Sequence, residues 1–191
     1  MFSVNIDKIV VMTDNEKKCY EELRENLKKE LNGGKVLAIT KNGIGAFKIA
    51  YSFVCAGEKV LFIDADIMSE IFLGKYKLGK NLKGFTDYFQ EDEAIHDLVC
   101  KTNRKNLDII FTGETQEFDK ADILDSEFSD FRDCLVEQYD YVIVHTGDNY
   151  DIAAKCDASV ILLKQSDYSE MSAESKVDFL VSKIPPEVLE E

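Results

Sequence analysis

The sequence has no tryptophan, only two prolines, and no apolar run long enough to cross a membrane. Its five cysteines are widely spaced and never form a CxxC pair, which argues against a disulfide framework and against a zinc site. We expect most of them to be small core residues. The first residues show no basic region followed by an apolar stretch, so a secretory signal is not predicted and a cytoplasmic location is the default.

Positive charge is also scarce, because 23 lysines and arginines stand against 37 aspartates and glutamates, for a net charge of −14. Phosphate backbones and acidic lipids attract cations, so neither nucleic-acid binding nor direct membrane insertion is predicted. Residues 114–140 hold ten acidic and two basic residues, a local net charge of −8. We interpret this run as the solvated side of a helix whose other side, Leu124, Phe128, Phe131 and Leu135, faces the core.

The apolar content of 45% and the length of 191 residues suit one globular domain over residues 1–191. Thr13 and Glu16 form a capping-box pattern that predicts a first helix over about 13–32, which Asn32 and a glycine pair end. Apolar runs predict strands at 35–40, 59–64, 107–112, 141–145 and 158–163. Helices are predicted at 46–56, 93–101, 123–138 and 169–183, and residues 184–191 read as an acidic tail.

Each predicted strand is apolar on successive residues rather than on alternate ones, which is typical of a parallel sheet covered on both faces. Helical stretches separate the strands, so we predict a doubly wound α/β fold with three layers. Ligands of such folds bind beyond the carboxyl ends of the strands. There the sequence places KNGIGAFK (41–48), Ala65 and Asp66 after the second strand, and His145 to Asp148 after the fourth.

These segments resemble the phosphate-loop and acidic motifs of the MinD/ParA class of P-loop ATPases. Within that class the chain is similar to the capsular and exopolysaccharide tyrosine kinases of CpsD/CapB type. The resemblance rests on YxxLRxNL (20–27), AGEKVLFIDADI (56–67), KGFTDY (83–88), NLD (106–108) and QYDYVIV (138–144), which occur in the family's order. It implies a P-loop NTPase fold, an ATP and magnesium site, and tyrosine kinase activity.

The chain departs from this family where the chemistry is done. The family's loop ends in Gly-Lys-Ser/Thr, in which the lysine reaches the terminal phosphates and the hydroxyl binds magnesium. Aligned on Gly43 and Gly45, these two positions are Ala46 and Phe47, and Lys48 lies about 200° further around a helix. A Phe47 ring projecting into the phosphate space would support a degenerate loop. The acidic position after the fourth strand is His145, which a hard magnesium ion disfavours.

The resemblance implies that Asp64 helps to hold the metal and that Asp66 is the base, so both are candidate vestigial site residues. Lys41, Gly43, Gly45 and Lys48 are the candidate vestigial phosphate loop. Losing the lysine and the hydroxyl removes roughly 3 to 6 kcal/mol of nucleotide binding. Tight binding of ATP and magnesium is therefore not expected. Paired acids at a strand end also occur as turn formers, and that interpretation stays open.

Two smaller departures point the same way. The family's oligomer-forming ExxRxxR corresponds to Lys18, Glu21 and Arg24, and no tyrosine follows Tyr168. We therefore expect no C-terminal tyrosine cluster of the kind that the resemblance implies for autokinases.

We therefore predict a degenerate, regulatory or scaffolding relative of the kinases. Its partner would be a membrane polysaccharide co-polymerase, which could recruit it to the inner face of the membrane, or a kinase paralogue. An active but divergent kinase that uses Lys41 or Lys48 is the alternative, and a MinD/ParA-like ATPase is a third. His145 and His96 are interpreted as a hydrogen-bonded strand residue and a solvated helix residue.

Overall fold

Parallel strands form the centre of the fold, as the continuous apolar runs of the sequence predict. The structure is a computed structural model that describes residues 3–67, 83–91, 93–113, 123, 125–163 and 181–183. Eight strands within these residues form one sheet in the order β1-β4-β5-β3-β6-β2-β7-β8, and every pairing is parallel except β4 with β5. The strands are β1 Ser3–Val4, β2 Val36–Thr40, β3 Val60–Asp64, β4 Cys100–Thr102, β5 Leu107–Ile110, β6 Tyr141–Gly147, β7 Ala158–Leu163 and β8 Val181–Lys183.

Helices connect the strands and pack on the sheet. They are α1 Asp14–Leu31, α2 Gly43–Cys55, α3 Phe85–Glu91, α4 Ile95–Leu98, α5 Asp125–Val136 and α6 Tyr150–Ala154. The predicted first helix is confirmed with its caps. Thr13 and Glu16 form the reciprocal capping box, and Asn32 ends α1 in the left-handed conformation with φ 46°. The doubly wound α/β prediction is confirmed.

Several local predictions are wrong or lie outside the described residues. Residues 93–101 are not one helix, because α4 has four residues and 100–102 pair with the sheet as β4. Val99 and Thr102 favour strand geometry, and Cys100 and Lys101 pair with Ile109 and Asp108 at the edge of β5. Helix α2 starts three residues earlier than predicted. The last residues of the predicted 169–183 helix are strand β8, and the rest of it, Leu124 and the 184–191 tail lie outside the described residues.

The core has two parts, one on each face of the sheet. Helices α1 and α2 cover the first with Tyr20, Leu27 and Phe53, and α3 and α5 cover the second. Phe128, Phe131 and Leu135 are buried as predicted. The cysteine prediction is wrong, because only Cys100 is fully buried while Cys55 and Cys134 are exposed.

Candidate functional site

The sheet order places β3, β6 and β2 side by side, so their carboxyl ends form one edge. Within this edge Asp64 of β3 and Ile39 of β2 are both register partners of His145 in β6. Lys41 follows β2 directly, and Asp66 follows β3. The structure therefore brings together most of the residues that the sequence predicts to form a site.

The connection between β2 and α2 is two residues long. Only Lys41 and Asn42 separate the two elements, and Lys41 takes a left-handed conformation with φ 76°. Asn42 caps α2, because its side-chain Oδ1 accepts from the Gly45 N–H at 2.8 Å and its carbonyl accepts from the Ala46 N–H at 2.8 Å. A G-x-x-x-x-G-K-[ST] loop places four residues between its glycines to enclose phosphate. The two residues that separate β2 from α2 are too few to form a loop of this kind.

Gly45 lies where α2 approaches the sheet closely. A Cβ atom at this position would lie 2.3 Å from Cδ2 of Leu162 in β7. A side chain at position 45 would therefore force Leu162 to move, and the backbone N–H of Gly45 is already bonded to Asn42. This glycine serves helix packing rather than an open loop.

Ala46 and Phe47, which stand at the lysine and hydroxyl positions, are completely buried. The Phe47 ring meets Phe62 of β3 edge to face, with centroids 5.0 Å apart and an interplanar angle of 77°. Phe47 therefore does not project into a phosphate space, so this particular support for a degenerate loop is not found. Because only two residues separate β2 from α2, position 47 falls on the face of the helix that packs on the sheet.

Lys48 pairs with an acid of the first helix. Its Nζ lies 2.6 Å from Oε1 of Glu16, and the two side chains are 9% and 6% exposed. Burial alone would raise the pKa of Glu16, but the hydrogen bonds from Lys48 and Thr13 outweigh it, so this pKa is below the usual value of a glutamate. Lys48 thus ties α2 to α1. The sequence assigned Glu16 to the cap of α1 and gave no sign of this second contact.

Lys41 also has a carboxylate partner. Its Nζ forms an ion pair with Asp148, and its backbone N–H donates to the carbonyl of Gly147 at 3.0 Å. The hydrogen bond from Lys41 to Asp148 raises the pKa of the lysine above its usual value, and Tyr150 adds to the effect. The Lys41 side chain is 40% exposed. The Lys41 side chain thus links the residue after β2 to Asp148, the residue after β6.

Asp64 and His145 form a buried pair. Nδ1 of His145 lies 3.2 Å from Oδ1 of Asp64, and both residues are essentially inaccessible to solvent. Burial raises the pKa of Asp64, although the hydrogen bond from His145 opposes the rise. Within the part of the chain that the structure describes, Nε2 of His145 has no hydrogen-bond partner. The interpretation of His145 as a hydrogen-bonded strand residue agrees with its Nδ1 contact.

Asp66 lies against the backbone of Gly147. A Cβ atom at Gly147, where φ is 55°, would lie 2.4 Å from Cγ of Asp66. The Asp66 N–H donates to Oδ1 of Asp64 at 3.4 Å. Across residues 3–67, 83–91, 93–113, 123, 125–163 and 181–183, no group of three or more His, Cys, Asp or Glu is arranged to hold a metal ion.

Proteins that are similar to this chain in sequence or fold include tyrosine kinases and MinD. The tyrosine-protein kinase CpsD of Streptococcus pneumoniae serotype 4 is 29% identical over 155 residues, which cover 75% of this chain and 68% of CpsD. The kinase domain of the Escherichia coli tyrosine kinase ETK superposes with a TM-score of 0.71 at 18% identity, over 86% of this chain and 70% of that domain. MinD of Pyrococcus horikoshii, solved with Mg-ADP, gives a TM-score of 0.50 at 14% identity, over 80% and 74% of the two chains. No protein-family profile matches the chain.

This chain resembles the CpsD tyrosine kinases. The resemblance predicted from the motifs is confirmed, and the fold is that of the MinD/ParA class.

Arg24 of the first helix donates from Nη1 to the carbonyl of Ser52 in α2 at 2.8 Å. It also contacts Glu25. Arg24 is therefore largely used within the chain. His96 is 82% exposed in α4, so the interpretation of it as a solvated residue is confirmed.

Proposed function

We propose that this protein is a degenerate relative of the CpsD-type tyrosine kinases, without efficient ATP turnover, that acts as a regulatory or scaffolding partner in capsular or exopolysaccharide synthesis. The observation that carries the proposal is the two-residue connection between β2 and α2. Phosphoryl transfer depends on positioning and on neutralising the phosphates. A connection of this length offers neither a cradle of backbone N–H groups nor a lysine at the family's position.

The residues around this connection do not fit a magnesium-bound nucleotide. Both nearby lysines, Lys41 and Lys48, already have carboxylate partners. The position of the metal-binding acid is a buried histidine paired with Asp64. Magnesium prefers oxygen ligands and keeps several waters, and an imidazole supplies no such ligand. ATP and magnesium are therefore not proposed as tightly bound cofactors.

The proposed partner is a protein. It is the cytoplasmic part of a membrane polysaccharide co-polymerase, or an active kinase paralogue, as the likeness to CpsD suggests. None of the described helices is both long and apolar enough to cross a bilayer. Recruitment to the inner face of the membrane would then come from that partner.

Titration calorimetry with MgATP and MgADP tests the proposal. We expect no binding at micromolar nucleotide, because losing the lysine and the hydroxyl lowers affinity by about two to four decades. Streptococcal CpsD is the positive control. Lys41→Ala is the matched variant, since Lys41 is the partly exposed lysine at this edge.

Micromolar, magnesium-dependent binding that K41A abolishes would contradict the proposal. It would favour the alternative of an active but divergent kinase. In that kinase Asp64 and Asp66 would keep the roles that they have in the family. Transfer of labelled phosphate from ATP to tyrosine would contradict it equally.

A further inference from the structure

A pocket of about 250 Å³ lies beside α1, on the face of the sheet that α1 and α2 cover. Its walls come from the segment before α1, from α1 itself, from the last turns of α2 and from the turn between β4 and β5. We call it the α1 pocket, and its lining includes Val10, Val11, Met12, Glu21, Tyr51 and Arg104. Sites for drug-sized ligands measure roughly 300 to 1,000 Å³, so the α1 pocket suits a smaller molecule.

One wall of the α1 pocket is apolar. Val11 is 66% exposed, which makes it the most exposed large apolar side chain of the described residues. Val10 is buried and Met12 is half-buried, and both pack on the core beneath α1 and α2. The Tyr51 ring, near the end of α2, is also half-buried. An apolar group of a ligand that covers Val11 would remove this surface from water, which favours binding.

Arg104 supplies a cation with an unused hydrogen-bond donor. Its Nη2 donates to Oδ1 of Asp7 at 2.6 Å, and Nδ2 of Asn103 donates to the same oxygen at 2.9 Å. Nε of Arg104 is buried and, within the described part of the chain, has no hydrogen-bond partner. Buried N–H groups are rarely left without an acceptor, and a carboxylate is the acceptor that best fits a guanidinium. The α1 pocket therefore has a place for a ligand carboxylate at Arg104.

Glu21 supplies an unpaired anion on another wall of the pocket. Its side chain is exposed and forms no ion pair with any cation of the described residues. Lys17, one turn earlier on α1, pairs with Asp14 at 3.1 Å instead. A ligand with a positively charged amine would give Glu21 the partner that it lacks. The lining thus offers opposite charges on two walls together with an apolar wall.

We propose that the α1 pocket binds a free α-amino acid with an apolar side chain, for which leucine is the probe. The ammonium group pairs with Glu21, the carboxylate accepts from Arg104, and the side chain lies on Val11 and Met12. An apolar amine would leave Nε of Arg104 without an acceptor, and an apolar acid would leave Glu21 unpaired. A phosphate-bearing molecule is disfavoured, because Asp7 and Glu21 both repel it.

This binding is independent of the proposed function. The α1 pocket touches the last turn of α2, whereas the connection that argues against nucleotide binding precedes the first residue of α2. The pocket joins the segment before α1 to two helices, so a ligand that binds only the folded chain raises the thermal midpoint of unfolding. Leucine would thus act as a stabilising effector of the protein.

Titration calorimetry of the full chain with leucine tests the proposal, and thermal unfolding is the second readout. We expect a dissociation constant of about 0.1 mM for a ligand of this size. Three analogues each remove one group. Isocaproate lacks the amine, isoamylamine lacks the carboxylate, and glycine lacks the apolar side chain. Each should bind about tenfold more weakly than leucine, because each leaves one wall of the pocket without its partner.

Two variants assign the binding to the α1 pocket. Glu21→Gln should weaken leucine binding about fivefold and leave isocaproate binding unchanged, because isocaproate has no amine to pair with it. Arg104→Gln should weaken leucine binding about tenfold and leave isoamylamine binding unchanged, because isoamylamine has no carboxylate. Glu22→Gln, at the next exposed carboxylate of α1, is the matched control and should stay within about twofold of wild type.

The absence of leucine binding at millimolar concentration would overturn the proposal. Isocaproate or isoamylamine that binds as tightly as leucine would also overturn it, since the ligand would then be an apolar acid or an apolar amine. This comparison uses the wild-type chain, so it decides the point even if R104Q does not fold. Equal weakening of leucine binding by E21Q and E22Q would mean attraction to net charge alone and would overturn the proposal as well.

Sedimentation tests the remaining occupant, a second copy of this chain. Wild-type dimers that Val11→Ser converts to monomers would overturn the amino-acid ligand in favour of self-association. The proposed function fails separately, through magnesium-dependent nucleotide binding, and that result would leave leucine binding at the α1 pocket standing.

Discussion

The start of α2 and the ends of β3 and β6 lie at the same edge of the sheet, but they have departed from the kinase pattern in different ways. At the start of α2 the positions of the lysine and the hydroxyl have become core, as Ala46 and Phe47. At the ends of β3 and β6 the polar residues Asp64 and Asp66 remain, and His145 pairs with Asp64.

The two regions therefore differ in what their departures from the kinase pattern do to stability. The α2 end has gained new stabilising contacts, namely Phe47 on Phe62 and Lys48 on Glu16. The strand ends carry costs instead, because a buried carboxyl disfavours folding, and so does the imidazole nitrogen of His145 that has no partner among the described residues. Substitutions toward the kinase pattern should therefore lower the stability of the fold at α2. At the strand ends they should show whether a metal site persists.

The largest effect is expected at Phe47. Phe47→Thr, which returns a hydroxyl to the family's position, should lower the free energy of unfolding by about 4 kcal/mol, because it leaves a cavity against Phe62 and buries a hydroxyl. Urea denaturation measures the loss. Phe47→Leu is the control and should cost about 1 kcal/mol. An F47T variant as stable as wild type would show that this end of α2 is not part of the core.

A somewhat smaller loss is expected when the buried ion pair at α2 is broken. Lys48→Met should lower the free energy of unfolding by about 3 kcal/mol, since Glu16 would be left buried without its cation. The double variant E16Q/K48M should recover much of this loss in the same denaturation experiment. Lys29→Met, at an exposed position of α1, is the control for loss of one lysine. No recovery in the double variant would mean that Lys48 acts through packing alone.

At the strand ends, His145→Asp restores the acid of the kinases and tests whether a metal site persists. We expect a loss of about 2 kcal/mol near neutral pH, because a second carboxylate would stand beside Asp64 in a buried place. His145→Asn, which adds no charge, should cost less. Thermal unfolding with and without magnesium chloride decides the point. Magnesium that restores the stability of H145D would show a metal site lacking only one ligand, and would break the comparison.

How much of this could be read from the sequence differs between the two regions. The apolar runs predict β2, β3 and β6, and the capping box at Thr13 and Glu16 predicts α1. Each of these patterns involves only neighbouring residues and indicates one type of secondary structure. The position of Phe47 was not predictable in the same way. Its direction depends on where α2 begins, and Asn42 as the cap fixes that start through one side-chain hydrogen bond. The partner of Lys48 was also hidden, because 32 positions separate it from Glu16.

The missed strand β4 and short α4 have a related cause. Residues 93–101 carry apolar residues at helical spacing, but the edge of β5 offers hydrogen bonds to Cys100 and Lys101. That edge is created by the tertiary fold and leaves no trace in the local pattern.

The smallest expected effect is a pH dependence with opposite signs in the two regions. The pKa of Glu16 is below its ordinary value of 4.5, so its stabilising contribution is present above that pH and is lost as the pH falls through the folded-state pKa. The pKa of Asp64 is raised, so its cost is present at neutral pH and is relieved on acidification. Stability should therefore fall less steeply on acidification in Glu16→Gln than in wild type, and more steeply in Asp64→Asn. Urea midpoints between neutral pH and about pH 3 measure both slopes, and slopes equal to that of wild type in both variants would show that neither carboxyl differs in pKa between the folded and unfolded chain.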